Sequence, residues 1–358
     1  MTATELDPGK VEEFAGRMVG LMNSSMLSLM TSVGHRTGLF DTMATLAPST
    51  SAQVAAAAGL DERYVREWLN AMTVGGFVDY DPAGRTYALP PEHAASLTRA
   101  AGPGNLANMA QFTALMGGVE DEIVACFRAG GGVPYSRFPK FQELMAEMSS
   151  QVHDAALIEG ELALVDGLID RLREGIDVCD VGCGQGHAIN LMAKEFPNSR
   201  FTGIDFSAEA IATAQKEAAE LGLTNATFVT KDAATLDRAA QYDFITVFDA
   251  IHDQAKPDVV LRGIADSLKP GGVFLCVDIA GSSKVEDNLE HPMAPMLYSV
   301  STFHCMTVSL ALDGAGLGTM WGEQKAAGMF RQAGFASVET MRVPEDIVNV
   351  YYVCRKEP

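Results

Sequence analysis

The chain has 358 residues, a length that suggests two domains or one large one. Apolar residues make up 47% and charged residues 20%, which is ordinary for a folded globular protein and argues against disorder. The formal net charge of −20 repels phosphate backbones, and the basic residues form no local patch, so we expect no nucleic-acid partner.

The six cysteines form no CxxC pair and show no zinc-ligand spacing, so the sequence predicts free thiols and no metal site. The N-terminus has no basic segment followed by an apolar stretch, and no run of 18 apolar residues occurs anywhere in the chain. We therefore expect a cytoplasmic protein with no signal peptide and no membrane partner.

Apolar side chains recur at helical spacing from Val11 to Thr31 and include many methionines. We interpret them as the buried face of a first helix, and packing against a second subunit is the alternative. Residues 49–89 then have the pattern of two short helices and a hairpin, which resembles a winged helix. Ser51 is the expected N-cap of the first of these helices, and Asp61 is that of the second.

A winged helix raises the question of DNA binding, for which the second helix would need basic and polar side chains. That helix carries Asp61, Glu62, Arg63, Arg66 and Glu67, a neutral to acidic set. The sequence therefore favours a dimerisation or substrate-covering module over residues 1–100, and we expect a homodimer. Residues 101–170 are predicted to form a helical connector that shapes the cleft.

From residue 171 to the end, short β-branched runs alternate with amphipathic helices. This alternation predicts an α/β fold with a doubly wound, mostly parallel sheet, whose ligands bind at the carboxyl ends of the strands. The glycine-rich loop from Gly182 to Gly186 stands where the first strand turns into a helix. Its GxGxG spacing differs from the GxGxxG of dinucleotide folds, and Asp180 would repel a pyrophosphate.

Asp180 suits a ligand with an ammonium group and no phosphate, such as S-adenosylmethionine. Asp205 ends the second strand, where a carboxylate can accept both ribose hydroxyls. Asp232 and Ala233 end the third strand, where the carboxylate can accept the adenine amino group. A strand-end cap is the alternative role of any one aspartate, but three in register with the loop favour the nucleoside site.

At this point the sequence resembles the class I S-adenosylmethionine-dependent methyltransferases. The matching motifs are VCDVGCGQG, FTGIDFS, VTKDA, YDFITVFDAIHD and LKPGGVFLCVD, in family order over about residues 175–280. The resemblance implies a seven-stranded Rossmann-like sheet with S-adenosylmethionine as cofactor. It implies that Gly182, Gly184 and Gly186 line the methionine and ribose moieties. Phe206 would pack on adenine, and Phe248 would border the cofactor.

With the winged helix in front, the chain is similar to the small-molecule O-methyltransferases of plants and bacteria. Their His-Asp-Trp motif after the fourth strand stands here as His252, Asp253 and Gln254, and the resemblance implies that His252 is the general base. Imidazole titrates near neutral pH, which suits it to take a hydroxyl proton. Alternatively, His252 caps the strand or bonds to Asp253. Asp278 and Glu323 are the candidates for orienting it.

The segment 281–325 is long for a connection and rich in methionine and aromatic residues, so we expect a lid over an apolar acceptor. Core packing or a dimer contact is the alternative, and His304 within it is a second candidate base. The sequence as a whole predicts a methyltransferase acting on a small-molecule acceptor. Its main alternative is an S-adenosylmethionine-binding transcriptional regulator, and a dehydrogenase is disfavoured by Asp180 and the loop spacing.

Overall fold

The structure is a computed structural model and describes residues 6–236, 239–343, 346 and 348–357. The first five residues of the N-terminus, where we predict no signal peptide, lie outside the described residues. The chain divides into two compact units, Met1–Gly117 and Gly118–Pro358. The connector predicted at 101–170 is therefore split between the two.

The first unit holds six helices and one small antiparallel hairpin among its described residues. In chain order they are α1 (Pro8–Arg36), α2 (Leu39–Ala44), α3 (Ser51–Ala58), α4 (Glu62–Val74), β1 (Asp79–Asp81), β2 (Thr86–Ala88), α5 (Pro91–Leu97) and α6 (Gln111–Gly117), with a 3₁₀ turn at Arg99–Gly104. Helices α3 and α4 and the hairpin form the predicted winged helix.

Capping side chains set where α3 and α4 begin. The N-cap of α3 is Thr50 rather than the predicted Ser51, because Thr50 and Gln53 satisfy each other's backbone N–H groups. Asp61 caps α4 as predicted, accepting from the N–H groups of Arg63 and Tyr64. Gly59 ends α3 in the left-handed conformation that suits glycine.

The prediction that α1 has a buried apolar face is wrong for most of the helix. Phe14, Leu21 and Met26 are each more than half exposed. Only its C-terminal end is buried, where the Trp68 indole N–H donates to the carbonyl oxygen of Met30 over 2.8 Å. The N-terminal apolar stripe therefore has no partner within the described part of this chain.

The second unit is built on one seven-stranded sheet with the order β5-β4-β3-β6-β7-β9-β8. Its strands are β3 (Asp177–Val181), β4 (Arg200–Asp205), β5 (Ala226–Thr230), β6 (Tyr242–Phe248), β7 (Leu268–Ile279), β8 (Ser337–Met341) and β9 (Asn349–Arg355). The ladders β5-β4-β3-β6-β7 are parallel, and β9 is antiparallel to β7 and β8. The α/β fold with a mostly parallel sheet is confirmed.

Helices cover both faces of this sheet. The helices of this unit are α7 (Glu120–Ala129), α8 (Phe141–Ala156), α9 (Leu168–Glu174), α10 (His187–Glu195), α11 (Ala208–Glu220), α12 (Pro257–Ser267), α13 (Ala294–Val300), α14 (Met306–Leu310) and α15 (Glu323–Ala333), and of these α9, α10 and α11 pack in one core on the sheet and α12 and α15 in the other. Single π-helical turns stand at Leu157–Glu161 and Ser301–Cys305, and 3₁₀ turns at Tyr135–Arg137, Leu162–Leu164, Ala233–Thr235 and Val285–Asn288. The two cores lie on opposite faces of the sheet and are mainly aliphatic and aromatic.

Part of the segment 281–325 belongs to the core rather than to a lid. Trp321 is buried and meets Phe330 of α15 edge to face, with ring centroids 6.1 Å apart. Met320 is also buried. For this end of the segment the core-packing alternative holds, because its aromatic anchor fills the space between α15 and the sheet.

All six cysteines, each within the described residues, are free thiols. Within the same residues, no helix combines the length and apolar character needed to cross a membrane.

Candidate functional site

The glycine loop between β3 and α10 bends through three left-handed residues, Gly182 (φ 81°), Gly184 (φ 52°) and Gly186 (φ 75°). A Cβ on Gly186 would lie 2.5 Å from Cβ of Ala214, so close packing requires glycine there. A Cβ on Gly184 would meet no described atom within 4 Å. The middle of the loop is therefore open on one side, as a backbone cradle for a ligand must be.

Asp205, at the end of β4, is tied to this loop. Its Oδ2 accepts from the N–H of Gly184 over 2.9 Å, and its Oδ1 accepts from the N–H of Ser207 over 2.8 Å. Burial raises its pKa, although these backbone N–H groups oppose the shift. A carboxylate offers about four acceptor positions, so Asp205 can accept from a ligand hydroxyl as well as from these backbone groups.

Asp180 is 2% exposed, and its Oδ1 accepts from the hydroxyl of Thr246 over 2.9 Å. Burial raises its pKa to about 7. The raised pKa means that the surroundings of this carboxyl stabilise its negative charge poorly. A cation nearby would stabilise that charge.

Asp249 and Glu161 are two acidic residues that sequence reasoning missed. Asp249 follows β6 with φ 51°, and among the described residues its buried Oδ1 has no hydrogen-bond partner. Burial and then the charge of Asp278 raise its pKa to about 8, and burial raises the pKa of Glu161 to about 7. Asp249 directly precedes Ala250, whose Cβ would lie 2.7 Å from a Cβ on Gly182, so an acidic residue follows Phe248 at the end of β6 that adjoins the glycine loop.

Phe206 is 60% exposed, and its ring meets Tyr135 edge to face, with centroids 5.5 Å apart. Asp232 is exposed, and its Oδ1 caps the 3₁₀ turn that begins at the buried Ala233, accepting from the N–H of Ala234 over 2.9 Å. Asp232 therefore does act as a cap, which was the alternative role for an aspartate at a strand end. Its contact with adenine stays a prediction.

Phe248 ends β6 and is half-buried. Its ring meets the edge of His153 at 4.7 Å between centroids. Burial lowers the pKa of His153 to about 4, so this imidazole is neutral. The contact of Phe248 with the cofactor stays a prediction.

His252 lies just beyond β6 and is only 3% exposed. Its Nδ1 is 2.7 Å from Oδ1 of Asp278, which comes from the end of β7 and is fully buried. Glu323, the other candidate partner, pairs instead with Arg342. The structure therefore makes Asp278 the residue that orients the imidazole.

Asp253 and Cys305 also contact the imidazole of His252. We refer to His252, Asp253, Asp278 and Cys305 together as the His252 cluster. Nε2 of His252 is 3.3 Å from Oδ1 of Asp253, and the Cys305 thiol bonds to the same imidazole. Burial alone would lower the pKa of His252, but Asp278 and Asp253 raise it well above its usual value. Cys305 was missed because it lies far along the chain, in the turn before α14.

His304, the second candidate base, is fully buried in a box of aromatic rings. It stacks on Phe141 with centroids 3.5 Å apart, and Phe138 and Tyr135 meet it edge to face. Within the described residues neither of its ring nitrogens has a hydrogen-bond partner. Burial lowers its pKa to about 4, so it is a neutral imidazole.

Comparison with known proteins agrees with this geometry. A family model described as "Methyltransferase domain" matches residues 172–334, and one described as "Rv2258c-like winged HTH domain" matches residues 25–99. Among curated relatives, (S)-coclaurine N-methyltransferase of Papaver somniferum is 29% identical over 120 residues, which are 33% of this chain and 34% of that protein. The chain thus spans about a third of that relative's length.

Among the solved structures that resemble the whole chain are two methyltransferases. The mitomycin 7-O-methyltransferase is 18% identical with a TM-score of 0.73, covering 98% of this chain and 100% of that one. Human N-acetylserotonin methyltransferase, solved with S-adenosylmethionine, is 17% identical with a TM-score of 0.71, covering 100% of both chains. These matches identify the chain as a two-domain protein of the S-adenosylmethionine-dependent methyltransferase fold, with a winged helix-turn-helix domain in front of its methyltransferase domain.

Proposed function

We propose that the protein transfers a methyl group from S-adenosylmethionine to a hydroxyl group of a small-molecule acceptor, with His252 as the base. The observation that carries this proposal is the 2.7 Å contact between Nδ1 of His252 and Asp278 at the carboxyl edge of the sheet. A carboxylate at this nitrogen orients the ring and stabilises the imidazolium that forms when the other nitrogen takes a proton.

The residues at the sheet edge suit this cofactor. The open side of Gly184 leaves room for a ligand against the loop, and the carboxylate of Asp205 stands next to that room as an acceptor for ribose hydroxyls. The carboxyls of Asp180 and Asp249, with pKa values raised by burial, favour a cofactor with an ammonium and a sulfonium charge. S-adenosylmethionine carries no phosphate group, so these acidic side chains would not repel it.

When bound, S-adenosylmethionine supplies a methyl group made electrophilic by the sulfonium. Nε2 of His252 accepts the proton of the acceptor hydroxyl, and the negative charge of Asp278 stabilises the resulting imidazolium. Asp253 must turn aside for this, since its Oδ1 is 3.3 Å from the same nitrogen. The reaction yields a methyl ether, S-adenosylhomocysteine and a protonated His252.

Replacing the base tests the proposal. In His252→Ala, single-turnover methyl transfer to a hydroxyl acceptor should fall by ~10²–10⁴, the usual contribution of a positioned base. Calorimetry should show unchanged cofactor binding, because the ring faces away from the adenosine in this assignment. His291→Ala, a partly exposed histidine in the same unit, is the matched control and should keep the wild-type rate. Equal rates for wild type and His252→Ala, with both folded and cofactor-bound, would remove His252 from catalysis.

A transcriptional regulator is the less favoured function. On α4, Arg63 pairs with Glu67 and Arg66 pairs with Glu62, so the basic groups of the candidate recognition helix are already neutralised. A helix that reads DNA needs free positive charge for the phosphates. A mobility-shift assay at low salt should show no specific complex, and a sequence-specific shift that weakens with salt would favour the regulator.

The exposed stripe on α1 supports a homodimer. Phe14, Met18, Leu21, Met22 and Met26 are all more than 40% exposed, and such a large apolar face is typical of a subunit interface. Light scattering should give a mass near twice that of the chain at micromolar concentration. Met22→Asp should shift the protein to monomer, whereas Val74→Asp, at an 88% exposed position on α4, should leave the mass unchanged. A monomeric wild-type protein would contradict the proposal.

A further inference from the structure

Three donor atoms of different kinds converge in the His252 cluster. Nε2 of His252, an Oδ of Asp253 and Sγ of Cys305 all lie within 4.8 Å of one another. They are the one such group of three among the described residues that has the geometry to hold a metal ion. Two come from the turn after β6 and the third from the turn before α14, so only folding brings them together.

The imidazole is held as it is in metal sites. Nδ1 faces the carboxylate of Asp278 at 2.7 Å, so a proton on that nitrogen directs the lone pair of Nε2 towards Asp253 and Cys305. This carboxylate–histidine arrangement fixes the tautomer and raises the basicity of a ligating histidine.

Asp253 presents a donor atom that is not satisfied. Its Oδ1 is buried and, within the described chain, receives no hydrogen bond of acceptable geometry, although Nε2 of His252 is 3.3 Å away. Buried carboxylate oxygens are normally paired, so an unpaired one calls for a partner. A cation between these two atoms and the sulfur would satisfy both.

The donor set selects the kind of ion. One imidazole nitrogen, one carboxylate oxygen and one thiolate suit zinc and cobalt(II), whereas magnesium and calcium prefer oxygen ligands and several waters. Cys305 is 4% exposed, which disfavours an ion that keeps a full hydration shell. Three protein ligands leave one tetrahedral position open.

We propose that His252, Asp253 and Cys305 bind a divalent transition-metal ion of the zinc class, and that the bound ion inhibits methyl transfer. The ion takes the same lone pair on Nε2 with which His252 accepts the acceptor's proton. Binding forms a sulfur–metal bond and releases the Cys305 thiol proton to solvent, with no change of oxidation state. The site stands on geometry alone, whereas its inhibitory effect rests on the proposed function.

Cobalt(II) is the probe for the site, because a cobalt–thiolate bond gives a charge-transfer absorption band that zinc abolishes by displacement. Metal-free wild-type protein should develop this band with one equivalent of cobalt. In Cys305→Ser the band should be lost and zinc affinity, measured by calorimetry, should fall at least about tenfold. Cys126→Ser, which removes a cysteine of α7 outside the cluster, should behave as wild type.

Asp253→Ala provides a second variant, since the partly exposed Asp253 tolerates replacement better than a buried cysteine. It should keep a weaker cobalt band and lose at least about tenfold in zinc affinity. No thiolate band in the wild type, or equal zinc binding by the wild type and both ligand variants, would overturn the site.

The inhibitory effect is measured separately, with each variant compared with its own zinc-free rate. One equivalent of zinc should inhibit the wild type, and Cys305→Ser should need at least about ten times more zinc for the same fractional inhibition. Full zinc occupancy with an undiminished rate would overturn the inhibition and count against His252 as the base. Absence of zinc binding would overturn the site and leave the base assignment untouched.

Discussion

The glycine loop with Asp205 and the His252 cluster lie at the same edge of one sheet but are built differently. The loop is made largely of backbone, from residues close together in sequence, and Asp205 satisfies the N–H of Gly184 within it. The His252 cluster is made of side chains from three separate segments, and Asp253 and Asp278 each keep an unpaired buried oxygen among the described residues. The first region has this backbone N–H group paired, whereas the second keeps unpaired carboxylate oxygens.

The largest effect should separate two glycines within the loop. In Gly186→Ala the added Cβ would lie 2.5 Å from Cβ of Ala214, and the alanine would have to adopt a left-handed backbone conformation. The free energy of unfolding should therefore fall by about 2–4 kcal/mol. In Gly184→Ala the space is open, and stability should fall by only about 1 kcal/mol from backbone strain. Urea unfolding measures both. Equal losses would show that packing does not distinguish the two positions.

Cofactor affinity should distinguish Asp205 from Asp232. Asp205→Ala removes the carboxylate that we propose holds the ribose and that also pairs with two backbone N–H groups, so affinity for the cofactor should fall at least tenfold, or by ~1.5–3 kcal/mol. Asp232→Ala should cost less, because the exposed Asp232 caps only a short 3₁₀ turn. Calorimetry with S-adenosylhomocysteine tests both, and unchanged binding by Asp205→Ala would refute the ribose assignment.

The smallest expected effect is a loss of stability as pH rises from 6.5 to 8. In the unfolded chain carboxyls are already ionised at pH 6.5, but in the folded protein burial raises the pKa of Asp180 and Glu161 to about 7 and that of Asp249 to about 8. These groups lose their protons as pH rises through those values. The cofactor-free protein should therefore become less stable over this range.

Thermal melts at constant ionic strength measure this pH dependence. Asp180→Asn keeps an acceptor for the Thr246 hydroxyl but cannot ionise, so its loss of stability over the same range should be smaller. Stability that rises from pH 6.5 to 8 would contradict the expected protonation of these carboxyls.

The contrast between the two regions also explains which predictions succeeded. The strand–glycine–helix pattern around Gly182 and the strand ends at Asp205 and Phe248 could be read from sequence, because each depends on neighbours a few residues away. The apolar spacing of α1 also gave the helix correctly. It could not show that Phe14 and Met26 face outward, since periodicity identifies an apolar face but not what covers it.

For the His252 cluster the sequence supplied one residue and two candidate partners. The sequence did not distinguish Asp278 from Glu323 as the residue that orients His252. Only the register of β7 beside β6 places Asp278 against the imidazole. Cys305 had no ligand spacing to reveal it, because its neighbours in space come from another strand end. Trp321 was counted with a lid for the same reason, although it fills the core beside Phe330.

The sequence by itself determined the α/β alternation, the winged helix and the glycine loop, since local conformational preferences and short-range spacing are enough to specify them. The tertiary structure alone decided which acid orients His252, which apolar stripe stays exposed and which donors meet around Cys305. These depend on contacts between residues far apart in the chain, where the packing of strands and helices fixes distances that no sequence spacing contains.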